Sequence, residues 1–477
     1  MLRPLIQRPR RDARYRANER GITLVLIALA IVGIIAMAGL SIDIGTLYQA
    51  GAEAQRAADA GALAAARFIS MSGVTGNTTT KAYWVDVCGG TSSPASTVAT
   101  AVAQQNTIGG ASNSTVTVTY STQGISPGFS DCSQNSSAFE VNPLVTVQVT
   151  QAGLPTYFSR IWGRTGNSVS ATATAEVFNP SKSGSSTSSG NLVPVRPRCV
   201  KPWIVPNLDP GNPSGCSTSG CQPFVNNLDG SIQNPGIINS GTGVIGETFN
   251  LVPDCSSSPG NCKSGAGPPF FANPPEANIT TATQPNLQYL PGQVLGTPVA
   301  VPSCGNTGAY QQAVAGCDQS TPYQCGVSGA PTPNQIDFTE NPGIPSGSGD
   351  TYVATQCLIH QSGGVGQDTL LTAAYPYQIQ AGAGNPLKVT GSVITSSNSI
   401  VSLPIYDGNG TTALTITGND ANVNIVGFLQ VFINQANADG SLNVTVLNVA
   451  GCSNGVSSTT PYLTGTSPVP IRLITPP

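Results

Sequence analysis

From Ile22 to Leu40 the chain runs for 19 residues without a charge, and this stretch limits the possible folds more than any other. As a helix rising 1.5 Å per residue it spans about 28 Å, close to the hydrocarbon thickness of a bilayer. The alternatives are a buried helix of a soluble protein and a secretory signal peptide. A signal peptide has a shorter apolar region, roughly 7–15 residues, followed by a small-x-small cleavage site. Residues 22–40 are therefore expected to cross a membrane. Asp43 lies about 32 Å along the axis from Ile22, which puts it at the outer interface rather than in lipid.

The flanks set the direction. Of the 19 basic and 22 acidic residues, seven arginines (Arg3, Arg8, Arg10, Arg11, Arg14, Arg16, Arg20) and two acids fall in residues 1–20, leaving 12 and 20 for the rest. Arginines beside an apolar helix stay in the cytoplasm, so the body is expected outside. The other reading of the arginines, a nucleic-acid-binding arm, is set aside because a span follows directly. Only 9% of all residues are charged, against roughly 25% in ordinary soluble proteins. Gly and Pro, 54 and 38 of 477, stay below the roughly 25–30% that marks disorder.

The helix is predicted to continue past the membrane. No proline occurs from Ser41 to Arg67, and alanine dominates. Leu47, Gly51, Ala54, Ala58, Gly61, Ala65 and Phe68 recur at spacings of three and four, a heptad-like seam of small residues. Such a seam suits either the chain's own domain or a partner helix. Glu53, Arg56 and Asp59 on the other side are spaced for i,i+3 pairing.

Two resemblances follow from these residues. Gly21-Ile22-Thr23-Leu24 is similar to the start of a pilin, whose precursor is cut after a glycine. Pilins carry a glutamate five residues on, however, and here that position is Leu26, so cleavage after Gly21 is not expected. The block from Glu19 to Ala66 resembles the N-terminal region of TadG-like proteins of the Flp/Tad pilus-assembly system. The matching features are Arg20-Gly21, Asp43 with Gly45 and Tyr48, Gln55, Ala58-Asp59-Ala60 and the run Ala62 to Ala66. Looser similarity reaches about residue 180, where "LPTYFSRIWGRTGNSVSATATAEV" resembles the end of the family's first periplasmic region. The resemblance implies an inner-membrane protein with a periplasmic body, contacting other Tad pilus-assembly membrane proteins or pilins. Many TadG-like proteins also carry a von Willebrand A domain, whose metal site uses Asp-x-Ser-x-Ser. The nearest stretch, Asp131-Cys132-Ser133-Gln134-Asn135, lacks the second Ser and does not follow an apolar strand.

Beyond the long helix, alternation predicts strands at 114–120, 144–150 and 168–177, with helices at 95–106 and 154–162. Residues 179–191, "NPSKSGSSTSSGN", read as a flexible linker. Residues 192–380 are rich in Cys, Pro and Gly with few periodic segments. Strand signals return at 399–408, 412–418, 422–435 and 441–451, with a hairpin turn at Ala438-Asp439-Gly440, and suggest an antiparallel sheet or sandwich.

All 12 cysteines lie beyond the span, and ten fall between Cys199 and Cys452. An even number outside the cytoplasm suits disulfides. Cys88–Cys132, Cys216–Cys221 and Cys255–Cys262 are candidate pairs by position. No Cys-x-x-Cys occurs and His360 is the sole histidine, which argues against zinc. Gly124-Ile125-Ser126-Pro127-Gly128 matches a nucleophile elbow, but Pro127 opposes the helix that must follow. Gly241-Thr242-Gly243-Val244-Ile245-Gly246 matches a dinucleotide loop without the required strand before it. Asp209 and Asp229 could contribute to Ca²⁺ loops, though ordinary Asx turns explain them as well.

The expected architecture is α+β. It comprises an Arg-rich tail (1–20), a transmembrane helix (21–44), an Ala-rich helix (45–70), an α+β domain (71–178), the linker, the Cys-rich region (192–380) and an antiparallel β region (381–477). No catalytic, cofactor or metal site and no nucleic-acid partner is expected. The function expected is a non-enzymatic one in pilus assembly, through a scaffold or contact role. A pilin-like subunit cleaved after Gly21 is the alternative.

Overall fold

The computed structural model describes residues 15–76, 81–122, 128–135, 139, 143–163, 166–179, 181, 195–211, 222–226, 230–238, 243–253, 286–291, 304, 308–317, 323, 335–337, 350–406, 422–438, 440–452, 463–465 and 467–474. It forms two compact units. One comprises Met1–Ala58, Ala103–Val116 and Gln148–Thr172, and the other Asp59–Val102, Thr117–Val147 and Ala173–Pro477.

A single helix, α1, runs from Tyr15 to Met71, as the proline-free, alanine-rich stretch predicts. Its surface changes along its length. Large apolar side chains are exposed on all sides early on, as at Ile22 (63%), Val32 (64%) and Met37 (68%). Later, Ala54, Ala57, Ala58, Ala62, Ala65, Ala66 and Ile69 are fully buried. Four residues of the anticipated seam, Ala54, Ala58, Gly61 and Ala65, are buried, while Leu47, Gly51 and Phe68 are half-buried. The stripe is covered by the chain's own fold, which decides between the two occupants the sequence left open.

Helix α2 (Lys81–Cys88) has no counterpart in the sequence reading, because "KAYWVDVC" is rich in strand formers. Helix α3 (Pro94–Gln104) opens on proline, at a position where a missing N–H costs nothing. Strands β1 (Thr115–Ser121), β2 (Leu144–Leu154) and β3 (Asn167–Val177) match the alternating segments. The helix anticipated at 154–162 is only a short 3-10 turn, Ser159–Trp162. Trp84, Tyr120 and Phe139 pack as a tilted and an edge-to-face aromatic pair. The Cys88–Cys132 disulfide joins α2 to the turn at Cys132–Gln134, with Cα atoms 5.5 Å apart.

The Cys-rich region contributes more regular structure than its sequence suggests. It supplies β4 (Val195–Pro197), β5 (Trp203–Pro206), β6 (Thr248–Pro253), β7 (Asn286–Pro291), α4 (Ala309–Ala315), β8 (Gln335–Asp337), α5 (Asp350–Leu358), β9 (Thr369–Leu371) and β10 (Gln378–Gln380). Then come β11 (Val393–Ile394), β12 (Ile400–Tyr406), β13 (Asn422–Ala436), β14 (Leu442–Gly451), β15 (Leu463–Gly465) and β16 (Ile471–Ile474). The segment anticipated as a strand at 412–418 lies outside the described residues.

Neither an open antiparallel sheet nor a sandwich results. The sheet order is β12-β5-β7-β6-β14-β13-β8, and β12 also pairs with β13, so six strands close into a ring. The pairs β12–β5 and β6–β7 are parallel, whereas β5–β7, β6–β14, β13–β14 and β12–β13 are antiparallel. Closure removes the sheet edges that four antiparallel strands alone would expose. Gly440, with φ +85°, makes the anticipated turn between β13 and β14. Trp203, Phe249, Leu287, Leu403, Leu429 and Val444 are among the residues of the enclosed core. Strand β16 pairs antiparallel with β3, giving the order β1-β2-β3-β16, and Arg472 Nε lies 2.7 Å from Glu176 Oε2.

Two further disulfides, Cys199–Cys317 and Cys304–Cys357, fasten α4 and α5. Cys452 is also disulfide-bonded. Cys216, Cys221, Cys255 and Cys262 lie outside the described residues.

Candidate functional site

Where α1 leaves its charge-free stretch, it is locked to a turn of the first unit. Asp43 is 4% exposed, so at the end of the charge-free stretch its carboxylate is covered by protein. Its Oδ1 accepts the Tyr157 N–H at 3.0 Å, and its Oδ2 accepts those of Phe158 and Ser159 at 3.1 and 2.7 Å. These three N–H groups open the 3-10 turn Ser159–Trp162, whose own N-cap residue, Phe158, supplies no side-chain cap. Helix α1 thus provides the missing cap in the form of a carboxylate. The Ser159 N–H, with those of Tyr157 and Phe158, holds the Asp43 carboxyl below the usual carboxylate range, against the opposing effect of burial.

One turn earlier on the same face lies Gly39. A Cβ there would come within 2.5 Å of the Phe158 ring, so only glycine admits the aromatic side chain. One to three turns later, Glu53 Oε2 accepts the Gly109 N–H at 2.7 Å, and its Oε1 accepts from Gln49 at 3.2 Å. Gly109 and Gly110 both have positive φ in the tight turn Ile108–Ala111. Between these locks lies a groove of 190 Å³, lined by Thr46, Leu47, Glu53, Gly109, Leu154 and Tyr157 among others.

The residues of the family-like block divide into distinct groups. Asp43 forms the lock, and Gln55 donates to the Thr172 carbonyl at 3.3 Å. Ala58, Ala62, Ala65 and Ala66 are buried. Tyr48 is 79% exposed, and nothing lies within 4 Å of a Cβ built on Gly45. Leu26 is exposed, like its neighbours in the span. Gly39, Phe158 and the three backbone donors were not legible as a site, because backbone N–H groups leave no mark in a sequence.

The other singled-out residues do not gather into one place. Asp209 makes an Asx turn, its Oδ1 accepting the Gly211 N–H at 3.1 Å, and its Oδ2 accepts from Asn234. Asp229 lies outside the described residues. Glu247 packs beside Asp209. Burial, with the Asp209 charge next, holds its carboxyl far above the usual carboxylate range. A Cβ at Gly211 would clash with the Glu247 carboxyl. Lys201, 3% exposed, donates to the Val314 carbonyl at 2.7 Å and to that of Gly316, capping the end of α4. His360 has φ +58° and lies 3.0 Å from Asn398 Nδ2. Asp131 caps the turn at Cys132–Gln134 through the Ser133 N–H. Residues 124–127, four of the five in the first glycine motif, lie outside the described residues, as do Gly241 and Thr242 of the second. Among the described residues, no group of three or more His, Cys, Asp or Glu could hold a metal ion.

Residues 21–67 match the family model described as "Putative Flp pilus-assembly TadE/G-like". No curated protein matches the chain, and no solved structure does. The match covers the charge-free stretch, Asp43 and the alanines of α1 up to residue 67, but not the turn that Asp43 holds, and it supports involvement in Flp/Tad pilus assembly. The N-terminal region of this chain is TadE/G-like.

Proposed function

We propose that the chain is a non-enzymatic, single-pass inner-membrane component of Flp/Tad pilus assembly with a periplasmic scaffold or contact role. In this reading residues 1–20 stay cytoplasmic, residues 22–40 of α1 are a permanent anchor, and the Ala-rich continuation of α1 with the rest of the chain forms the periplasmic body. Its partners are other Tad membrane proteins or pilins. The observation that carries the reading is the change in α1 at Asp43. Before it, large apolar side chains have no protein cover, and after it a stripe of alanines is buried. The arginine tail supports the orientation, and the disulfides support an oxidising compartment. Intact mass or N-terminal sequencing of the mature protein tests the anchor: a chain starting at Ile22 overturns it.

A second reading, a minor pilin or pseudopilin cleaved after Gly21 and placed in the filament or as an adhesin at its tip, has its own support. Nothing lies within 4 Å of a Cβ built on Gly33, Gly45 or Gly51, so these positions leave room for another helix to approach closely. Recovery in sheared filaments, rather than in inner-membrane fractions, would favour it.

A further inference from the structure

Asp43 and Gly39 fix the depth of a second element. Gly39 lies one residue inside the end of the charge-free stretch at Leu40, and Phe158 rests directly on it. Asp43, about 6 Å further along the axis, holds the backbone of Tyr157, Phe158 and Ser159. The turn that carries these residues is therefore held at the level where α1 leaves the hydrocarbon. Its side chains suit that level. Tyr157 is 58% exposed, Arg160 is exposed, and Phe158 is half-buried. A tyrosine beside an arginine matches the headgroup layer, where the phenol takes one wet and one apolar side and the guanidinium meets lipid phosphate.

We propose that the turn at residues 157–160 is a second membrane contact, with Tyr157 and Arg160 seated among the phospholipid headgroups of the outer leaflet. Phe158 on Gly39 and Asp43 on the turn's backbone set the depth. The chain would then meet the bilayer at two joined points, and residues 148–172 of the first unit could not swing freely about the anchor. The proposal rests on the anchor reading above.

The test uses the full chain in liposomes of phosphatidylethanolamine and phosphatidylglycerol that carry a clickable acyl tail. A photoreactive benzoyl-phenylalanine replaces Ile35, Tyr157 or, as an exposed control in the same unit, Ser112. Lipid adducts are expected at 35 and 157, with none at 112. In the Gly39→Val background the adduct at 157 is expected to be lost and that at 35 kept. Label at 35 without label at 157, or protein adducts alone at 157, overturns the second contact and leaves the anchor standing. No label at 35 overturns the anchor reading itself.

Discussion

The early part of α1 and the closed six-strand ring treat polarity in opposite ways. The helix presents Leu24, Val32, Ile34 and Met37 to its surroundings, whereas the ring and its supports enclose Lys201, Asp209 and Glu247. Both arrangements obey one rule, that each group must meet a medium that matches it. An exposed leucine costs nothing in lipid, and a buried lysine is tolerated where carbonyls surround it. Burial alone therefore does not reveal which residues matter, since the same 60% exposure means tolerance in water and constraint in a bilayer.

The largest expected effect breaks that comparison at the helix. Val32→Arg should cost about 2.5–3.5 kcal/mol of insertion at the middle of a span, so membrane retention after alkaline extraction should fall. Unchanged retention would mean that this exposed face meets water. At the ring, Lys201→Met should leave buried carbonyls at the end of α4 unpaired, at about 1–3 kcal/mol, read as a lower Tm of the body with membrane retention intact. Asp43→Asn keeps the shape but removes the charge, and should weaken the hold on the turn locally. Hydrogen exchange should quicken at Tyr157, Phe158 and Ser159 while ring amides stay protected.

Glu247→Gln tests the buried carboxyl through pH, and its sign is informative. The folded carboxyl binds its proton more tightly than the unfolded one. Stability from this group is therefore full below the unfolded value of about 4.5 and falls as pH rises above it. The variant should raise Tm at pH 8, and the gain should vanish towards pH 4. A loss at pH 8 would mean that Glu247 is held charged.

Legibility in the sequence followed periodicity. Helix α1, strands β2 and β3 and the β13–β14 hairpin carry regular patterns, and their positions were evident. Strand β5, "WIVP", is buried at every position, so it shows no alternation and reads like loop. The ring depends on it and on β7, and its closure was therefore hidden. Cys88–Cys132 was legible because only two cysteines lie in that stretch. Cys199 and Cys317, 118 residues apart, meet only through the fold. At the candidate site Asp43 stood out, but its partners are main-chain donors. The glycine that seats Phe158 had no visible reason to be small.

The pairing of β16 with β3 sets an order of events in folding. Arg472 and Glu176 are 296 residues apart, so nearly the whole chain must be made before the flank of β3 is covered. Until then the chain carries an open strand edge. Folding is therefore most exposed to strand exchange at its last step, when the final strand of another copy competes with the chain's own.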